Sequence, residues 1–290
     1  MPGPRTALTA ALLALAAPVA TQGQDRKWNA PAEPVKIAGP VHFVGTQGLA
    51  AWLITTPAGH ILLNTAVPGS GPMIADSIRK LGFKPEDIKV LLAGHAHFDH
   101  VGGHAYIQRL SGARMAVMAR EKELIESGGN LDFHYGGRPE FAFDPVKVGQ
   151  VLQDGDAIKL GDVTLTARLT PGHTKGCTTF AMTVVDGGQP YSVVFADGTS
   201  VNPGYRLVKD PSYPGIADDY RRTFGVLDAL KPDIWLHAHT DVFDFEIKRA
   251  RAAKEGAAAW VDPAGYREWL AGVRAKFEAT VKKETASRAP

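Results

Sequence analysis

One cysteine, Cys177, stands in a chain of 290 residues. No disulfide can form within it, so stability has to come from a packed core and any bound metal. Charge of one sign is also missing. The 32 Lys and Arg are set against 30 Asp and Glu, a net charge of +2 spread along the chain without a basic face, and nucleic acid is therefore not an expected partner. Nor does any apolar run reach the roughly 20 residues that a membrane-spanning helix needs. The nearest approach, Ala7 to Ala17, follows Arg5 and precedes small or polar residues from Pro18 to Gly23. That three-part pattern reads as a secretory signal peptide over residues 1–23. It sets an expectation of cleavage between Ala20 and Gln24, a mature domain over residues 24–290 with no membrane attachment, and a periplasmic or extracellular address.

What is present suits a globular enzyme. Hydrophobic residues make up 44% of the chain, which at this length is ample for a core. Short apolar runs split by Gly and Pro (Val35 to Ile37, Val41 to Gly45, Ala50 to Thr56, Gly59 to Leu63) predict an antiparallel meander. Alternating helix and strand patterns follow: helix Pro72 to Leu81, strand Ile88 to Ala93, helix Ala105 to Leu110, strand Ala113 to Met118 and helix Ala119 to Ser127. Strands return from Val148, with Ile158 to Leu160, Val163 to Leu169, Thr178 to Val185 and Tyr191 to Ala196. Helix Ile216 to Leu230, strand Ile234 to Leu236, and helices Phe245 to Ala259 and Pro263 to Lys282 close the chain. Strands, mixed elements, strands and mixed elements again suggest two halves packed sheet on sheet. The fold class expected is α/β, a four-layer αββα sandwich in one domain. Between Gly128 and Asp144 a loop rich in aromatics and glycine (Phe133, His134, Tyr135, Phe141, Phe143) has no regular period, which marks it as a candidate wall of an active site.

The densest chemical signal is Gly94-His95-Ala96-His97-Phe98-Asp99-His100, directly after the apolar run that begins at Ile88. Imidazole and carboxylate are the donors that a divalent ion such as zinc prefers, and a loop at a strand end can turn near-consecutive side chains toward one centre. His173 lies in Thr170-Pro171-Gly172-His173-Thr174, a turn after another strand, and can complete a group with His95 and His97. His239, two residues beyond His237, follows a third buried strand and can join Asp99 and His100. On spacing alone His237 could take that place. Three protein ligands with one open position is the pattern of catalytic zinc, whereas four close a structural site. Cys177, in an apolar stretch, reads as a small buried side chain in preference to a zinc ligand. His42, His60, His104 and His134 read as ordinary solvated or hydrogen-bonded histidines.

His-x-His-x-Asp-His after a hydrophobic strand, with a later Pro-Gly-His-Thr and a C-terminal histidine, resembles the metallo-β-lactamase fold superfamily over nearly the whole mature chain. Thr170 to Thr179, Ser200 to Leu207, and Tyr213-Pro214-Gly215-Ile216 through Asp219 to Phe224 are similar to the third subclass of true metallo-β-lactamases. The resemblance implies a pair of zinc ions. One would be held by His95, His97 and His173, the other by Asp99, His100 and His239; the segment Ala238 to Asp244 matches the family's terminal ligand segment and favours His239 over His237. It also implies that Ser200 helps bind the substrate carboxylate. Gly198 departs from members that carry a second serine there, and the disulfide of some relatives is absent.

The expected activity is then periplasmic hydrolysis of penicillins, cephalosporins and carbapenems through a zinc-bound hydroxide. A small-molecule β-lactam would be the partner, and a monomer is the default state. In two-metal hydrolases the ions lie roughly 3.5–4 Å apart and lower the pKa of a shared water toward about 7. Asp99 is the candidate catalytic carboxylate, read first as a metal ligand and able in principle to act as a general base. The fold alone does not fix the substrate. A glyoxalase II-like thioesterase or a lactonase would use an aspartate after a strand to bridge both metals, and Asp197 is the candidate. A non-catalytic zinc protein would instead need a closed coordination sphere.

Overall fold

The computed structural model describes residues 26–286; the expected signal peptide lies outside the described residues. β1 (Val35–Ala38), β2 (Val41–Phe43), β3 (Trp52–Thr56) and β4 (Gly59–Leu63) form the antiparallel meander. Helix α1 (Gly71–Lys80), with Pro72 in its first turn where no backbone N–H is needed, then crosses to β5 (Ile88–Leu92), parallel to β4. The short α2 (Phe98–Val101) and α3 (His104–Ser111) lead to β6 (Arg114–Met118), and α4 (Lys122–Glu126) and a long loop to β7 (Val148–Leu152), both parallel additions. The first sheet thus has seven strands in chain order.

The second sheet has five strands in the order β12-β11-β10-β9-β8. Successive antiparallel pairs join β8 (Ala157–Leu160), β9 (Val163–Leu169), β10 (Thr178–Asp186) and β11 (Gln189–Ala196). Helix α5 (Ile216–Leu230) crosses to β12 (Ile234–His237), parallel to β11. Helices α6 (Phe245–Glu255) and α7 (Pro263–Ala286) follow. Among the described residues no helix is long and apolar enough to cross a membrane.

Strand alternation sorts side chains into layers. Ile61, Leu63, Val90 and Leu92 face the second sheet, where Trp52 meets Phe195 at 6.0 Å between ring centres. Their neighbours Leu62 and Leu91 face Ile74 and Ile78 of α1 and Ile107 of α3. On the far side α5 and α7 cover the second sheet, with Tyr220 and Phe224 packed on Phe277. Each such side chain contributes about 1.5–3 kcal/mol on burial, so the four-layer αββα order follows from apolar faces on both sides of both sheets. The expected architecture is the one observed.

Three local expectations are refined. The helix expected over Ala119 to Ser127 is a 3-10 turn followed by α4, and at the junction the Glu121 side chain turns into the interior. The helix expected to reach Ala259 ends at Glu255, because Gly256 takes φ +59°. β7, not resolved as a separate strand by its pattern, lies at the edge of its sheet with alternate residues half-exposed, which dilutes the apolar signal. The topology also has a chemical consequence. β9 and β11 are both antiparallel to β10, and β12 is parallel to β11, so all three point one way. Their C-terminal ends deliver the segments of residues 170–177, 197–200 and 238–240 to the same edge as the loop leaving β5.

Candidate metal centre

At that edge His95, His97 and His173 converge, each offering a ring nitrogen within 4.8 Å of the others. His97 Nδ1 and His173 Nε2 face each other at 3.1 Å, and the His95 ring stands 4.6 Å from both other rings. The rear nitrogens have different company. His173 Nδ1 donates to the Ser200 carbonyl oxygen at 2.8 Å, His97 Nε2 lies 3.4 Å from Asp132 Oδ2, and His95 Nδ1 lies 3.4 Å from Asp197 Oδ2. Imidazoles that hold a metal are oriented in this way by carboxylates and carbonyls behind them. Burial, aided by the neighbouring His97, lowers His173 to about 3, and burial with His100 keeps His95 well below its ordinary value. Both rings are therefore neutral at pH 7, with lone pairs to donate. His95 Nε2 is buried without a hydrogen-bond partner among the described residues. An orphaned buried nitrogen costs roughly 1–3 kcal/mol, and a cation between these three rings would satisfy it. The donor set fits a divalent ion.

The second group is arranged around Asp99, whose Oδ2 is 3.6 Å from His100 Nε2 and 3.6 Å from His239 Nε2. The tighter three-donor cluster here is His95, Asp99 and His100, with His239, half-buried, completing the ring of donors from the β12 side. Burial alone would raise the Asp99 carboxyl, but His100, His239 and His97 hold it below the usual value. Burial likewise opposes charge on His100, yet Asp197 and Asp99 raise it to about 9. His237 is not in this group: its Nδ1 accepts the His239 backbone N–H at 3.0 Å and its ring packs against Trp269. It holds the loop of His239 from behind.

Asp197 was the candidate for a metal-bridging carboxylate. Its Oδ2 lies against the Nδ1 atoms of His95 and His100, at 3.4 and 3.2 Å, whereas Nε2 of His100 is the nitrogen that faces Asp99. One carboxylate thus braces a histidine from each group, on the side away from the donors. Its proximity explains Gly94: a Cβ there would come within 2.0 Å of Asp197 Oδ2.

Two supports carry no sequence signal. Glu121, within the segment expected to be helical, is buried and accepts the N–H of Ala96 and of Gly176, both at 2.8 Å. It pins the loop of His95 and His97 to the loop of His173, and burial raises its pKa despite the bonds. His104, expected to be an unremarkable histidine, is fully buried; its Nε2 bonds the Leu92 carbonyl and its Nδ1 pairs with Thr65 Oγ1. It fastens the start of α3 beneath the site.

The loop over residues 128–144 forms one wall, as its aromatics suggested. Tyr135 stacks on Phe141 at 4.2 Å, Phe141 meets Phe98, and Phe98 meets Trp28, which also packs on His239. Ser200, exposed beside His173, donates from Oγ to Asn202 Oδ1 at 3.2 Å and lies 3.3 Å from His173 Nδ1. Cys177 is buried behind His173, outside both donor groups, and burial pushes its thiol far up. Its Sγ also accounts for Gly198, where φ is +61° and a Cβ would lie 2.0 Å from that sulfur.

The metallo-beta-lactamase superfamily pattern matches residues 47–239. Among solved structures, the chain is similar to native FEZ-1 metallo-beta-lactamase from Legionella gormanii, at 42% identity over 89% of this chain and 98% of that one, with TM-score 0.86. It is similar to BJP-1, a subclass B3 metallo-beta-lactamase of Bradyrhizobium japonicum, at 39% identity over 91% and 99%, with TM-score 0.84. It is also similar to the class B3 di-zinc metallo-beta-lactamase LRA-12 from an Alaskan soil metagenome, at 33% identity over 88% and 96%, with TM-score 0.84. Curated relatives are matched over less of themselves: the first two alignments span 32% and 35% of those proteins, and the set includes a lactonase and thioesterases.

Proposed function

The chain belongs to the metallo-β-lactamase superfamily, and from that premise we propose that it is a periplasmic, zinc-dependent β-lactamase acting on penicillins, cephalosporins and carbapenems. The observation that carries this reading is the first donor group. Three imidazoles converge, with a carboxylate or carbonyl behind each, in a chain similar to class B3 enzymes over nearly their whole length. His95, His97 and His173 would hold one zinc ion, and Asp99, His100 and His239 a second. Bound there, the metals would supply a hydroxide nucleophile from water at neutral pH and a Lewis acid for the carbonyl oxygen.

The protein's own groups do the rest. Asp99 stays ionised between two imidazoles, and so can hold a cation or accept a proton, but cannot donate one. Asp197, Asp132 and the Ser200 carbonyl fix the tautomers of the rings they touch. Ser200 Oγ, exposed beside His173, would exchange its bond to Asn202 for one to the substrate carboxylate. The aromatic wall from Trp28 to Tyr135 would pack the apolar part of the substrate and exclude water. A thioesterase or lactonase reading loses its main residue argument, since Asp197 lies behind the rings. The periplasmic address rests on residues 1–23 alone, and cell fractionation tests it.

The enzymatic test uses purified protein with measured zinc content, assayed on a carbapenem and on S-lactoylglutathione. Carbapenem hydrolysis that disappears with a chelator, and in His173→Ala, is expected. Hydrolysis of the thioester without the carbapenem, or full activity after zinc removal, would overturn the proposal.

A further inference from the structure

Asp132 lies in the loop over residues 128–144, on the opposite side of the first donor group from Asp197. Its two carboxylate oxygens face different tasks. Oδ1 accepts the backbone N–H of His134 and of Tyr135, both at 2.7 Å, and so shapes the turn that presents the aromatic wall. Oδ2 points the other way, 3.4 Å from His97 Nε2, in a side chain only 2% exposed. Neither of those two atoms has a hydrogen-bond partner elsewhere among the described residues. His97 Nδ1 is taken up with facing His173 Nε2, and for an N–H at His97 Nε2 the acceptor in reach is Asp132 Oδ2.

A second tie runs from the same loop. Tyr135 Oη accepts from Asn202 Nδ2 at 3.0 Å, Asn202 Oδ1 accepts from Ser200 Oγ at 3.2 Å, and the Ser200 carbonyl accepts from His173 Nδ1 at 2.8 Å. Two of the three histidines of the first group are thereby braced from behind through residues of one loop.

We infer that Asp132 is a positioning residue that joins the loop over residues 128–144 to the first metal group, so that metal retention at His97 and order in the substrate-facing loop are coupled. This rests on the proposed zinc site. The coupling is reciprocal by linkage: whatever holds His97 in the metal-binding orientation also holds the loop, and metal at His97 steadies Asp132 and the turn it caps. The loop is then part of the metal cradle in addition to forming one wall of the site.

Asp132→Asn separates the two tasks. An amide oxygen can still accept the His134 and Tyr135 N–H groups, whereas the amide nitrogen presents a donor to His97 Nε2–H. Zinc affinity is measured by competition with a chromophoric chelator on wild type, Asp132→Asn and Asp132→Ala. Both variants are expected to bind zinc at the first group roughly 10- to 100-fold less tightly, the loss typical of a group that orients a metal ligand. A second readout needs no variant. Chymotrypsin cleavage of wild type after Phe133, Tyr135 or Phe141 is expected to accelerate at least several-fold when zinc is stripped, and to slow again when zinc is restored. Wild-type zinc affinity in Asp132→Asn, or loop cleavage indifferent to zinc, would overturn the inference. Failure of wild type to bind zinc would instead overturn the metal site on which it rests.

Discussion

Gly198→Ser introduces a side chain where the chain turns out of β11 toward Ser200, and its cost can be worked from two observations. The backbone there has φ +61°, a left-handed conformation that is unfavourable by roughly 1–2 kcal/mol for a residue with a Cβ. The added Cβ would lie 2.0 Å from Cys177 Sγ, against an ordinary contact of about 3.5–4.0 Å between heavy atoms. The sulfur or the backbone must therefore yield by about 1.5 Å inside a packed interior, an overpacking that costs about 1–3 kcal/mol. The sum is about 2–5 kcal/mol, a substantial part of the 5–15 kcal/mol that holds a typical domain together.

The next atoms in the way are Cys177 Cβ at 3.2 Å and His173 Cβ at 3.4 Å, so removing the sulfur relieves most of the overlap. Cys177→Ala alone is expected to cost about 1 kcal/mol for the lost packing. The double variant is expected to be more stable than the sum of the two single effects implies, by about 1–3 kcal/mol. Urea unfolding of wild type, both single variants and the double variant, read as midpoint shifts at constant m-value, measures this coupling. Gly198→Ser within 0.5 kcal/mol of wild type, or strictly additive effects, would refute the account of why glycine stands at this position.

Three further outcomes follow from the site. Glu121→Gln replaces one of two acceptor oxygens with a donor facing a backbone N–H, Ala96 or Gly176; it is expected to cost about 1–3 kcal/mol in thermal unfolding and to loosen zinc in a chelator competition, and unchanged values of both would remove its bracing role. Burial first, and opposed by the Leu92 bond, depresses His104 to about 4, while the unfolded chain titrates near 6.5. A depressed histidine pKa means the unfolded state takes up the proton first, so this stability is whole above about pH 6.5 and is lost as pH falls toward 4, by about 2 kcal/mol at pH 5. Wild type and His104→Gln should therefore draw closer in stability between pH 7 and pH 5, and a constant gap counts against the buried neutral ring. Ser200→Ala should raise KM for β-lactams roughly tenfold through a lost bond to a carboxylate; an unchanged KM would exclude substrate contact at Oγ.

Sequence by itself determined the layers and the chemistry. Apolar runs broken by Gly and Pro located nearly every strand, since a strand buried on both faces needs an unbroken apolar stretch, and the alternation from Ile88 to Met118 carried the parallel half of the first sheet. His95, His97, Asp99 and His100 announced a metal loop because four donors in six positions have few other uses, and turns after two later strands drew attention to His173 and His239. Only the tertiary structure decided how these donors are arranged and braced. Asp197, Asp132 and Glu121 lie 102, 37 and 26 residues from His95 along the chain, and a carboxylate carries no mark in sequence of which distant ring or amide it will meet. The same holds for His237 and His239, which spacing leaves equivalent: the end of β12 turns one ring into Trp269 and the other toward Asp99. Gly198 is the sharpest case, because the reason for it is the sulfur of Cys177, placed beside it by the pairing of β10 with β11.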